Sequence, residues 1–181
     1  MRGWFAKSWK ERAAATWTIT MERQVDDFYT RLYISRWKQS HPKKIFQSIP
    51  TIMMWDDHDI IDGWGSYSEN LHECDVFQGL FRTATNYFRL FQQQLSLNEI
   101  HPCAIPASKG FHMGFKDLGG LAILVPDLRS ERHPALTRPA FVPTQIIGAD
   151  SWTAIMNWLN NVKGHKHLIL MSSIPVAYID L

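Results

Sequence analysis

Between Thr51 and Ser66 the chain reads Thr-Ile-Met-Met-Trp-Asp-Asp-His-Asp-Ile-Ile-Asp-Gly-Trp-Gly-Ser. An apolar run, Ile52 to Trp55, discharges into Asp56, Asp57, His58 and Asp59, and Asp62 follows ahead of Gly63 and Gly65. The order is strand, then charge, then turn. Carboxylates set this close repel one another unless they are solvated or share a cation, and a hard metal ion with oxygen ligands is the usual cation. Metal-assisted phosphoester hydrolysis needs such a cluster, with carboxylates clamping the ions and a neighbouring His steadying charge on the leaving oxygen. The alternative from these residues alone is structural: Asp56 and Asp59 cap a helix beginning near Ile60, and His58 packs.

The remainder of the chain bounds this choice. With 181 residues, 45% hydrophobic and 20% charged, it can bury a domain core and does not have the composition of a disordered chain. A formal charge of +2, with no stripe of Lys and Arg, gives no nucleic-acid-binding surface. Cys74 and Cys103 lie far apart in unlike contexts, so neither a zinc knuckle nor a disulfide framework is written here. Lys7, Lys10, Glu11 and Arg12 interrupt the first residues before a signal core could develop, and no run of about 18 apolar residues suggests a transmembrane segment. The chain as given therefore reads as soluble and cytoplasmic, with an upstream export signal left open if it is a piece of a longer protein.

Taken in order, Val25, Phe28, Tyr29 and Leu32 fall at helical spacing and predict an amphipathic helix from near Thr20 that stops before Pro42. Ile45 to Trp55 predicts a buried strand, with Pro50 near its start. After a loop to about Asp75, a long helix is predicted with Asp75 as N-cap and Gln78 at the capping-box position. Phe111 to Lys116 and Leu121 to Val125 predict a hairpin. The second strand runs into Asp127-Leu128-Arg129-Ser130-Glu131-Arg132, a second strand end rich in polar groups. A third helix follows from an N-cap at Asp150 to Gly164, and His167 to Met171 predicts one more buried strand. Trp64 either walls a pocket or pins its loop, and the other tryptophans read as core. His72, Glu73 and Cys74 are adjacent on a loop, where side chains rarely converge on one ion.

Ser48 to Ser66 closely resembles the signature of the PhoD-like phosphatases, the alkaline phosphatase D branch of the metallophosphoesterases. Phe28 to Trp37, Asp127 to Arg132 and Lys166 to Tyr178, with Ser172-Ser173-Ile174-Pro175, fit in the same order, so the resemblance spans roughly Met21 to Tyr178. It implies an α/β fold, the αββα sandwich of central mixed sheets flanked by helices. It also implies hydrolysis of small-molecule or polymeric phosphomonoesters or phosphodiesters. The metal centre would hold two or more ions, drawn from calcium, iron, manganese or zinc. Matched to the superfamily's Gly-Asn-His-Asp/Glu motif, the metal-ligating Asn falls on Asp57 and the substrate-facing His on His58, with Asp56 a second ligand or a support. Arg129 is either a phosphate contact, through its guanidinium fork, or a structural partner of Asp127 or Glu131.

The departures set a second expectation. No Gly-Asp pair follows an early strand in residues 1–47, the family's Gly-Asp-x-His segment would fall beyond Leu181, and Ser172 and Ser173 stand where many metallophosphoesterases carry a His before Pro. Residues 1–181 then form a partial domain without the outer ligand segments, holding metal weakly and having little or no activity alone. A truncated, inactive remnant or interaction module is the competing expectation.

Overall fold

The computed structural model describes residues 1–96, 98–107, 109–132 and 146–175, and these form a mixed α/β arrangement of seven α-helices and a three-stranded sheet. The first residues make two short helices, α1 (Arg2–Phe5) and α2 (Trp9–Ala13). Ser8 caps α2: its Oγ accepts from Glu11 N at 3.4 Å while Glu11 Oε2 accepts from Ser8 N at 2.9 Å. The long helix α3 (Ile19–Trp37) starts where Thr18 Oγ1 accepts from Met21 N, and it ends well before Pro42. Its buried face is Val25, Tyr29 and Tyr33; Phe28, expected on that face, is 58% exposed.

The predicted strand from Ile45 to Trp55 is not formed. Ser40–Ser48 is helix α4 instead, with Pro42 in its first turn, where a missing N–H and a fixed φ cost nothing. Ile49 N still donates to Ile45 O, so the apolar residues read as strand are helix spaced at i and i+4. Residues 50–56 then form neither helix nor strand and pair with no strand among the described residues. They lead into a single 3₁₀ turn, Asp57–Asp59.

Beyond it come α5 (Glu69–His72) and α6 (Asp75–Tyr87), which continues through a π-helical turn, Phe88–Gln92. Cys74, not Asp75, occupies the N-cap of α6, and the Gln78 amide donates to His72 O at 2.9 Å. The hairpin forms as predicted: β1 (Met113–Leu118) is antiparallel to β2 (Leu121–Val125), with Met113 opposite Val125. Helix α7 (Ala149–Asn161) starts from Gly148 rather than Asp150 and returns the chain to β3 (His167–Leu170), parallel to β2. That crossover is why a parallel pair is possible. The buried character expected for β3 is not found. Leu168, Ile169 and Leu170 are about half exposed, because no described layer packs on them.

The larger core lies between α3, α6 and the 49–67 segment and is built of rings. Trp55 stacks on Phe88 at 4.7 Å, and Trp64 lies nearly parallel to Phe81 at 5.1 Å. A smaller cluster of Ile105, Leu124, Ile147 and Ile155 packs α7 against the sheet. No described helix is long and apolar enough to cross a membrane, and both cysteines are free.

Candidate metal and phosphoester site

The 3₁₀ turn sorts the four polar residues by direction. Asp59 turns inward: its Oδ2 accepts from Asp56 N at 2.8 Å and its Oδ1 from the Gln92 amide at 2.8 Å. Burial raises the Asp59 pKa despite these two donors, and the Asp56 charge adds to the rise. From α3, the Tyr29 hydroxyl donates to Asp59 O at 3.0 Å and Ile60 O at 2.8 Å, which fixes the turn against the helix. Tyr33, also beside Asp59, has its hydroxyl pKa pushed up to about 12, chiefly by burial. The helix-capping alternative is thus half realised, since Asp56 and Asp59 form a capping box, but around the turn itself and not around a helix from Ile60.

Asp57 turns the other way. Its Oδ2 accepts from Gly63 N at 2.8 Å, closing the loop back on the turn. Gly63 holds φ +75 and Gly65 φ +85, left-handed conformations that other residues rarely adopt. Partial burial alone would raise the Asp57 pKa, but the Gly63 N–H, the Arg129 guanidinium and His58 outweigh it and leave it lowered. His58 and Asp62 are largely exposed, with His58 Nε2 3.3 Å from Asp62 Oδ1. One ligand atom from each of Asp57, His58 and Asp62 lies within 4.8 Å of the others. Two carboxylates and an imidazole on one partly open face are a donor set for a single divalent ion of hard or borderline character.

The second strand end supplies the counter-charge. Asp127 is fully buried, with Oδ1 accepting from Trp55 Nε1 (2.9 Å), Arg129 N (2.9 Å) and Ser130 N (3.1 Å). Its Oδ2 accepts from Phe111 N (3.0 Å) and Ser130 Oγ (2.5 Å), so this carboxylate ties three segments together and has no capacity to spare. Arg129 pairs with neither Asp127 nor Glu131 through its side chain. Its Nε donates to Asp56 Oδ1 at 2.5 Å, its Nη2 contacts the same oxygen and lies 3.4 Å from Asp57 Oδ1, and its Nη1 reaches Trp64 O at 3.4 Å. Glu131 instead accepts from Gly148 N at 3.1 Å, at the start of α7.

Of the four residues singled out in the sequence, Asp57 and His58 therefore share the open cluster, while Asp56 and Arg129 face each other at its edge. Asp62 is the cluster member that motif matching passed over. The available signal was its place four residues after His58, which a tight turn folds back to the same side. Trp64, 1% exposed, pins the loop: its Nε1 donates to Arg129 O at 3.2 Å. Arg132 lays its stem across Gly65, where a Cβ would stand 2.7 Å from its Cδ. It has no hydrogen-bond or ion-pair partner among the described residues. His72, in the trio with Glu73 and Cys74, is buried against Trp64 at 4.4 Å.

The comparisons with known proteins agree with the motif. The chain is 31% identical over 195 residues to the uncharacterized protein YGR266W of Saccharomyces cerevisiae, an alignment covering 89% of this chain and 27% of that protein. The chain thus spans about a quarter of the relative's length. No solved structure matches. The family model described as PhoD related phosphatase matches residues 1–181, and the chain belongs to that family.

Proposed function

We propose that residues 1–181 carry the central part of a metal-dependent phosphoester hydrolase site, acting on phosphomonoesters or phosphodiesters within an αββα metallophosphoesterase domain. The observation that carries this reading is the convergence of Asp57, His58 and Asp62 on one open face, inside the segment that carries the family signature. Asp57 and Asp62 would hold a divalent ion such as calcium, manganese, iron or zinc, with Asp56 as a support engaged by Arg129. Such an ion, when bound, supplies Lewis acidity toward a phosphoryl oxygen and an attacking water.

The chain's own residues do the rest. His58, exposed at the rim, hands a proton to the leaving alcohol oxygen as the bond from phosphorus to that oxygen breaks and the bond to water oxygen forms. Arg129 offsets the charge of Asp56 and Asp57, which lets a dianionic phosphate approach a cluster of carboxylates. Arg132, with its guanidinium uncommitted among the described residues, is the cation available to a phosphate oxygen. The substrate is a small or polymeric phosphoester.

A second reading is favoured by the thin donor set: a site of two carboxylates, one of them 3.4 Å from the Arg129 guanidinium, binds metal too weakly for catalysis. The chain is then an inactive remnant or an interaction module. Turnover of p-nitrophenyl phosphate with manganese by the complete protein separates the two. The hydrolase reading expects His58→Ala to lower turnover about a hundredfold while bound metal changes little. Turnover that His58→Ala leaves unchanged removes the role assigned to His58, and absence of any turnover favours the second reading.

A further inference from the structure

His58 faces two ways. Its Nε2 lies beside Asp62 in the ligand cluster, and its ring also lines a cavity of about 350 Å³ whose walls are Phe5, Val25, Phe28, Ile60, Ile61 and Leu80. Most polar groups around this cavity are already engaged. The Tyr29 hydroxyl donates to two backbone carbonyls, and the Gln24 amide oxygen accepts from the amino terminus of Met1. The lining is therefore mostly hydrocarbon, with Met1, Gln24, Tyr29 and His58 contributing its polar atoms. Two phenyl rings stand at its edge in solvent, Phe28 at 58% and Phe5 at 47% exposed. Helical spacing would have turned Phe28 into the core; instead its ring leans edge-on against Tyr29 at 5.4 Å and borders the cavity.

We propose that this cavity receives the apolar alcohol group of the phosphoester, an alkyl chain or aromatic ring, with the phosphate at Asp57, His58 and Asp62. This rests on the hydrolase reading and adds the substrate class to it. The volume suits such a group, since small-ligand pockets of about 300 Å³ and above are mostly apolar with a few polar groups at one end. Here His58 stands at that end, where a proton must reach the leaving oxygen. A polyol or sugar alcohol would leave its hydroxyls unpaired against these walls, which is costly. Each methylene that moves from water into the cavity favours binding by about fourfold.

The test uses the full chain with manganese and compares octyl phosphate with glycerol phosphate, which differ only in the alcohol. The ratio of their kcat/KM values is expected to exceed tenfold and to fall below threefold in Phe28→Ser, a substitution at an exposed position that the fold tolerates. In parallel, displacement of the fluorescent probe anilinonaphthalene sulfonate by octyl phosphate, without metal, reads the cavity independently of turnover. Hydrolysis of both esters at equal efficiency overturns the cavity assignment and leaves the hydrolase reading intact. Displacement by octyl phosphate that Phe28→Ser weakens, with no hydrolysis, supports the cavity and removes the hydrolase reading. Absence of both displacement and discrimination overturns the cavity assignment.

Discussion

Arg129 is the residue on which the charge balance of the site turns. It is 6% exposed and pairs with two carboxylates, so its removal leaves Asp56 and Asp57 facing each other with no cation between them. Breaking a buried pair by deleting one partner costs about 3 kcal/mol, somewhat less where one carboxylate is as open as Asp56. Arg129→Met is expected to lower the unfolding free energy measured in urea by about that much, whereas Arg132→Gln, at a side chain without described partners, should change it by less than about 0.5 kcal/mol. Equal effects would contradict the division of labour between the two arginines. The acidic cluster was legible in the sequence because its residues are adjacent. The partner of Arg129 was not, since Asp56 lies 73 residues away and only the folded chain brings the turn at Asp56 against the segment that follows β2.

At the scale of elements, helical spacing located α3, α6 and α7, and turn residues located the β1–β2 hairpin, because each of these is decided by local pattern. The segment from Ile45 to Trp55 was misread for the opposite reason: a short apolar run does not by itself separate helix from strand, and here Ile45 to Ser48 close α4 without burying a residue while Ile52 to Trp55 pair with no strand among the described residues. Close approaches between elements were also invisible. On α6, Gly79 meets the indole of Trp17, and a Cβ there would stand 2.2 Å from a ring atom. Gly79→Ala should improve helix propensity by up to about 1 kcal/mol yet lose more by displacing Trp17, for a net destabilisation of about 1–3 kcal/mol. Chemical denaturation together with Trp fluorescence checks this. A more stable protein with an unchanged emission maximum would show that Trp17 does not pack there.

For the molecule as a whole, the described residues cover the sheet unevenly, with α7 against one part and no described layer on the apolar residues of β3. Ile169→Thr, at a position expected from sequence to be buried, should shift stability by no more than about 0.5 kcal/mol; a loss of the size seen for core truncations would mean β3 is covered in solution. The pH response has its own signature. Burial holds the His112 imidazole below its usual 6.5, against the opposing pull of the Asp127 and Glu131 carboxylates, and burial also lowers His101. A folded state that takes up these protons less readily than the unfolded chain has its full stability above pH 6.5 and loses it as the pH falls from there to the lowered folded values. Urea midpoints should therefore decline as the pH falls below 6.5, and His112→Asn should flatten the decline. A midpoint constant over that range would contradict the burial of His112.

Asp57 and Asp62, with His58 beside them as the proton donor, are proposed to hold the metal, and titration calorimetry with manganese tests this most directly. The expected result is one weak saturable site, with a dissociation constant of about 0.1–1 mM for so few ligands, lost in the Asp57→Asn, Asp62→Asn double substitution and retained in Arg132→Gln. Heat that is the same in the double variant, or no saturable heat in the unsubstituted chain, would contradict it.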